Sequence, residues 1–548
     1  MQTPKKLLLT FVAVAGTLAA QSPTFTGIVN AASGIPPGSP GYGIAQGAVF
    51  VAYGANLGPS TIALAQLPLP TTAGLATTTM TVTVGGTTVP VPVLYTVSSQ
   101  VAGIIPSGAP AGTGTLNLTY NGKSGSFPVT VLTSGFGVST VSPGSGGGPA
   151  VVTFANYQLV TATNTAKPGD TLILWGTGLG ATTAAGDTGS GGAPPAGNIG
   201  PTPSVFVGGV LSPNVAYAGR SPGSPGLDQI VFVVPPTAPQ GCNVSIMVQT
   251  GGSTPVTSNG PTMSIAATDG ATCSDPTQYI PTSALSKNSV KAMALAIKQN
   301  VSTSINGSST TTTTTNTASV QFFQFSQAQL AAQAQSINSE PTYRSCVTGF
   351  VAAGAGGGGP NATPLNAGPS VTLTPPSGKV ISMTASSTGQ YSAAGGGGGG
   401  SSLSGLWGFS SAGGSDIGPL NFTFPIPQQI VWNNEGLISG STIDRTKPLT
   451  ITWTGGDTIG YVDIQGQAQI GPVGASTYTV YFDCAAPTSD QQFTIPSYIL
   501  ATMPAGASAQ AGIQVSTYAL PYSLGAVPGL DAALDNSQFQ ASTPVIYK

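Results

Sequence analysis

The side chains able to carry chemistry are few. Histidine is absent, which removes Ser-His-Asp and Cys-His nucleophile activation, His-containing zinc sites and the commonest general base. A Ser-Lys pair needs no histidine, but no serine stands three residues before a lysine, so that pattern is missing too. Carboxylates remain: Glu340, Glu435 and scattered aspartates, of which Asp444, Asp457, Asp463 and Asp483 share the C-terminal stretch. Two such groups can hydrolyse a glycosidic bond, and a subset could hold calcium, although no EF-hand-like spacing occurs. The expected place of these aspartates is a solvated turn or strand end. No catalytic residue, cofactor or metal ligand is assigned from this pattern.

Trp407, Trp432 and Trp453, with Tyr461 and Tyr481, are candidates for a sugar-stacking platform, because an aromatic face offers apolar area beside hydroxyl partners. Core packing is the default for large aromatics. Trp407 lies among Gly and Ser, where a loop is expected, and is singled out as an exposed glycan contact. Two glycine motifs imitate phosphate loops. Asn121-Gly122-Lys123-Ser124 has Asn117 where the first loop glycine is needed and is flanked by alternating strands. Gly176-Thr177-Gly178-Leu179-Gly180 lacks the G-x-G-x-x-G spacing. Both read as turns.

Cys242, Cys273, Cys346 and Cys484 are an even set, consistent with disulfides in an oxidising setting. Three pairings are open. The favoured one joins Cys242 to Cys273 and Cys346 to Cys484, because each pair then lies within or at the edge of one domain. Zinc is disfavoured, since no C-x-x-C spacing occurs.

The elements that must position these residues follow from composition. A chain of 548 residues is long enough for three or four domains. Charged residues make up only 5%, glycine numbers 77 and proline 47, which favours short strands joined by tight turns, an all-β class. The net charge of −2 leaves no field to gather phosphates, so neither nucleic acid nor an anionic membrane is an expected partner. Lys5 and Lys6 precede the apolar run Leu7 to Ala15, with small residues through Ala19 and Ala20. This reads as an export signal cleaved near Ala19 or Ala20. No cysteine follows the run to suggest a lipoprotein anchor, and no later stretch approaches the ~18 apolar residues of a spanning helix. The mature chain is expected to be secreted or at the cell surface.

The first half contains a repeat. Gly47 to Gly58 corresponds to Gly169 to Gly180, Val82-Thr83-Val84-Gly85-Gly86 to Val205-Phe206-Val207-Gly208-Gly209, and Gln100 to Pro106 to Gln229 to Pro235. Gly47 maps to Gly169, Gly85 to Gly208 and Pro106 to Pro235, a nearly constant offset of 122 to 129 residues. Each copy offers about seven short strands over ~100 residues, the size of an immunoglobulin-like sandwich. Leu116, Leu118 and Tyr120 alternate on one side of the turn Asn121-Gly122, and Phe127, Val129 and Val131 on the other, as a half-buried hairpin requires.

Residues 25–265 resemble a secreted domain family of soil Acidobacteria, often called the Solibacter-type uncharacterised C-terminal domain. The resemblance rests on Ile28-Val29-Asn30-Ala31-Ala32-Ser33, on Lys167-Pro168-Gly169-Asp170 leading to Gly176-Thr177-Gly178-Leu179-Gly180, and on Gly226-Leu227-Asp228-Gln229 before Val233-Val234-Pro235. It implies secretion and immunoglobulin-like β structure, with no activity attached.

Beyond Cys273, Val290, Met293, Ala294 and Ile297 have the spacing of one helical face and predict a short helix over Ser283–Asn300. Thr310 to Thr315 reads as a linker, Ser326 to Asn338 as a second helix, and Gly356 to Gly359 and Gly395 to Gly400 as flexible loops. Period-two alternation then returns through Val371, Phe422, Leu449, Tyr478 and Ile513. The expected organisation is a signal peptide (1–20), two immunoglobulin-like domains (21–133 and 134–268), a linker with short helices (269–345) and a C-terminal all-β unit with Gly-rich loops (346–548). The function expected of such a chain is non-catalytic: a structural or adhesive protein binding an extracellular glycan or surface protein through sandwich loops. The alternative is a secreted glycan-active enzyme with catalytic carboxylates in the C-terminal unit.

Overall fold

A computed structural model describes residues 21–548 except 143–145, 191–197, 253–254, 276–286, 307–308, 327–328, 330–339, 353–361, 395–402, 427, 459, 474–475, 507–510 and 519–526. The export segment, the two glycine runs and nearly all of the helix expected at Ser326 to Asn338 lie outside the described residues.

Between Thr24 and Leu132 two sheets face each other. One runs Thr24–Asn30, Val49–Ala55, Gln100–Ile104, Val93–Val97 and Ala63–Leu64. The other runs Ile44–Ala45, Lys123–Leu132, Gly112–Tyr120, Thr78–Val84 and Thr87–Pro90, with Ile44–Ala45 parallel to its neighbour. This is the A-B-E-D against A′-G-F-C-C′ arrangement of an immunoglobulin-like sandwich. Alternation produces it: Met80, Val82, Leu116, Leu118, Val129 and Val131 all face one buried core.

The second copy repeats the order. Gly137–Val138, Thr171–Thr177, Asp228–Val233 and Val215–Arg220 form one sheet, and Val210–Leu211, Ser204–Val207, Gly241–Thr250 and Val256–Thr257 the other. Gly85-Gly86 turns Val84 back onto Thr87, and Gly208-Gly209 turns Val207 back onto Val210. All four glycines have positive φ, between 55° and 84°, as a two-residue turn matched to strand twist demands.

The remainder is a third all-β unit built on one continuous sheet. Its strands run Ser345–Ala352, Ser476–Pro487, Tyr461–Val473, Gly512–Tyr518, Gln538–Pro544, Ser289–Asn306, Ser309–Ser326, Gln390–Ala394, Ile381–Ser387, Ser370–Thr374, Gly405–Ser411 and Leu420–Ile426. Here the structure corrects the sequence reading. The expected helix from Ser283 and the expected threonine linker are the two arms of one long hairpin, Ser289–Asn306 against Ser309–Ser326. The physical reason is burial on both faces. Met293, Leu295 and Ile297 enter a core with Val320, Phe322 and Trp407, while Val290 and Ala292 meet Phe325 and Leu534 on the other side. A strand apolar on both faces loses its period of two and can show helical spacing. The threonine tract, exposed throughout, is β-branched and extends as strand. The third unit therefore begins at this hairpin and not at Cys346.

Candidate functional site

The strand Tyr461–Val473 sorts its side chains by parity. Val462, Ile464 and Ala468 join Phe482, Cys484, Ile513 and Val515 in a buried core, closed from the far side by Ile430, Trp432, Ile451, Trp453 and Ile495. The alternate residues lie on the opposite face and are polar. Cross-strand register aligns Asn300, Gln540, Ser516 and Asp463 in one row, and Ser302, Ser542, Gln514, Gln465 and Asp483 in the next.

Asp463 and Asp483 thus become diagonal neighbours on this face. Glu340 joins them from a segment that packs against the second sandwich. That segment is held by Asn243, whose Nδ2 donates to the Glu340 carbonyl at 3.1 Å and whose own carbonyl accepts from the Thr342 amide at 3.1 Å. One carboxylate oxygen from each of Glu340, Asp463 and Asp483 lies within 4.8 Å of the others. Asp463 is fully buried and Asp483 nearly so. Gln465 Nε2 donates to Asp483 Oδ2 at 3.2 Å. Burial, then the charge of Asp483, pushes both Glu340 and Asp463 well above the ordinary carboxylate range. Burial raises Asp483 as well, opposed by hydrogen bonding to Asp463 and Gln465.

Beside the cluster the same face opens into a groove of about 480 Å³, lined among others by Gln465, Gln467, Gln514, Gln540, Ser304 and Ser542. Gln540 Nε2 donates to Gln514 Oε1 at 2.5 Å, and Gln514 Nε2 to Ser516 Oγ at 3.2 Å. The lining offers both donors and acceptors and, among these residues, no formal charge.

Several expectations change here. Trp407 is not an exposed glycan contact: it is 1% exposed, on the strand Gly405–Ser411, and its Nε1 donates to the Leu403 carbonyl at 2.8 Å. Trp432, Trp453 and Tyr461 are likewise buried, whereas Tyr481 is half-buried on the strand Ser476–Pro487, so the set forms no exposed aromatic platform. Its polar tips are spent internally, Trp453 Nε1 on the Thr488 carbonyl and Trp432 Nε1 on Asn434 Oδ1. Of the four aspartates, Asp444 pairs with Lys447 in an exposed turn and Asp457 accepts from the Gln428 amide. Only Asp463 and Asp483 converge, and they are buried instead of lying at solvated strand ends. Glu435 sits apart, accepting from Thr303 Oγ1.

Disulfides join Cys242 to Cys273 and Cys346 to Cys484. Asn121-Gly122 is a hairpin turn between Tyr120 and Lys123. The glycine motif Gly176 to Gly180 does bind an anion, but an internal one. The Gly178 and Leu179 amides donate to Asp228 Oδ2 at 2.7 and 2.9 Å. Sequence reasoning alone does not single out the groove glutamines, although Gln465, Gln467 and Gln469 at period two are a visible signal of one polar face.

These features define an all-β protein with tandem immunoglobulin-like sandwiches. Among the described residues no helix is long and apolar enough to cross a membrane. No family model matches the chain, and no curated protein matches it. Partial similarity to solved structures exists. The plexin A4 extracellular region is 10% identical over 45% of this chain, with a TM-score of 0.15, and the chain spans about a fifth (19%) of its length. The SGBP-B protein of the Bacteroides ovatus mixed-linkage glucan utilization locus, solved with a mixed-linkage heptasaccharide, is 9% identical over 87% of this chain and 96% of its own, with a TM-score of 0.14. Invasin, a bacterial integrin-binding protein, is 11% identical over 91% of this chain and 77% of its own, with a TM-score of 0.13. At such scores the superpositions carry no weight, and the fold rests on the strand order itself.

Proposed function

We propose that this chain is a secreted, non-catalytic binding protein whose polar sheet groove takes an extracellular oligosaccharide. The observation that carries this reading is the groove of Gln465, Gln467, Gln514, Gln540 and Ser542. Uncharged amides and hydroxyls offer the paired donors and acceptors that vicinal sugar hydroxyls require. The two disulfides suit an oxidising compartment. Against the glycosidase alternative, Asp463 is fully buried, so a substrate in the groove would not reach it, whereas paired catalytic carboxylates must flank an accessible scissile bond.

A glycan array on the mature chain, followed by calorimetry on the best ligand, tests the reading. Binding is expected, weakened at least tenfold by a Gln467→Ala/Gln514→Ala double variant. A blank array, or affinity unchanged in that variant, would remove the groove as the binding site.

A further inference from the structure

We infer that Glu340, Asp463 and Asp483 together hold a hard divalent cation of the calcium class. Proximity alone would not carry this. The further observation is Asp463: it is 0% exposed, and no amide, hydroxyl or cationic donor reaches either of its carboxylate oxygens, which face the Asp483 carboxyl. Glu340 Oε2 and Asp483 Oδ1 are likewise without a donor. Among the described residues no lysine or arginine pairs with any of the three, and the charges acting on them are one another's. Three carboxyls removed from water without a cation or donors are strongly unfavourable as anions. Something positive must sit among them, either shared protons or a metal ion.

The geometry favours the ion. Oxygens that all lie within 4.8 Å of one another are near enough for one ion to contact all three at the calcium–oxygen distance of ~2.4 Å once the side chains close in by a few tenths of an ångström. The donor set is all oxygen, with neither nitrogen nor sulfur, which selects calcium or magnesium over zinc. Gln465, already bonded to Asp483, brings a side-chain amide to the rim, and three carboxylates with bidentate freedom suit the six to eight ligands of calcium better than the rigid octahedron of magnesium. The site is independent of the glycan reading. It ties the segment held against the second sandwich by Asn243 to two strands of the third unit.

The test uses the mature chain stripped of metal with a chelator at pH 7.5. Terbium should bind once per chain with luminescence sensitised by the nearby Tyr343 and Tyr461, whose rings lie 6.0 Å apart. Calcium should displace it with half-saturation between about 10⁻⁵ and 10⁻³ M. Calcium should also raise the unfolding temperature relative to chelator. Asp463→Asn should weaken terbium binding at least tenfold and abolish the thermal shift. Should that variant fail to fold, Glu340→Gln, on a less buried segment, gives the same reading. Absence of stoichiometric binding, with equal unfolding temperature in calcium and chelator, would overturn the inference and leave shared protons as the explanation. Binding unaffected by either variant would overturn it too.

Discussion

Arg220 and Asp228 meet at 3.2 Å, Nε to Oδ1, with side chains 1% and 0% exposed. Asp228 spends its other oxygen on the Gly178 and Leu179 amides, and Arg220 Nη1 reaches the Gly47 carbonyl of the first sandwich at 2.7 Å. The pair is therefore a joint between the two repeats as well as an ion pair within the second. Asn30 and Thr177 reinforce it, the Asn30 Nδ2 donating to the Thr177 carbonyl and Thr177 Oγ1 accepting from the Val49 amide.

Removing one partner strands the other charge in the interior. Arg220→Ala is expected to lower stability by about 3–5 kcal/mol, read as a shifted urea midpoint, and to increase proteolysis between the sandwiches. An Arg220→Met/Asp228→Leu double variant should lose less than Arg220→Ala alone. A double variant at least as unstable as the single would show that the pair is net stabilising.

Trp407 supplies a different kind of test. As a core residue its truncation to Ala should cost about 3–5 kcal/mol, visible in chemical denaturation. Glycan affinity, measured where the variant remains folded, should be unchanged. Trp407→Phe should be markedly milder, since it keeps most of the volume.

Cys346 and Cys484 are register partners on adjacent strands and close a loop with a sequence separation of 138 residues. Replacing both by Ser should cost up to about 4–5 kcal/mol, chiefly by releasing the unfolded chain. Alkylation under denaturing, non-reducing conditions should find no free thiol in the wild-type protein, and mass mapping should return the two pairings seen here.

The pH dependence has a definite sign. Burial pushes Asp228 and Asp535 up to about 6, in each case despite opposing partners, Arg220 and two amides for Asp228 and Ser537 for Asp535. An unfolded carboxyl titrates near ~4, so between there and about 6 the folded chain holds protons that the unfolded chain has released. Stability should fall as pH rises through that window, and the raised carboxyls Glu340 and Asp463, stripped of metal, add to the fall. Denaturation midpoints from pH 4 to pH 8 in chelator check this, and Asp535→Asn should flatten the slope.

Legibility in the sequence tracked how local the physics was. The repeat could be read because Gly85-Gly86 and Gly208-Gly209 are turns whose φ values admit few other residues, and because one-sided burial keeps the alternation around Leu116 and Leu118. Trp407 misled because its Gly and Ser neighbours suggest a loop. The inward set Trp407, Phe409 and Ser411 was the alternation that mattered. The hairpin from Ser289 was hidden by burial on both faces. The members of the carboxylate cluster stand among the candidates the sequence offers, but nothing in their spacing brings these three together. Asp463 and Asp483 meet only through strand register, and Glu340 reaches them only because Asn243 holds its segment in place.

The hairpin from Ser289 also bears on how the chain is made. Its first arm pairs in parallel with Ala532–Asp535 and Gln538–Pro544, so a strand synthesised in the middle of the chain waits for partners from the very end. Its other edge is satisfied early, by the adjacent arm Ser309–Ser326. The two sandwiches can close as soon as each emerges, since their strand ladders lie within their own residues, the single bridge from Gly260 to Thr348 apart. The third unit cannot, because its central contacts span more than two hundred positions and such long closures are slow. Until they form, an apolar strand with an open edge is exposed to other nascent copies, so holding that edge apart is the step at which a chaperone would matter most.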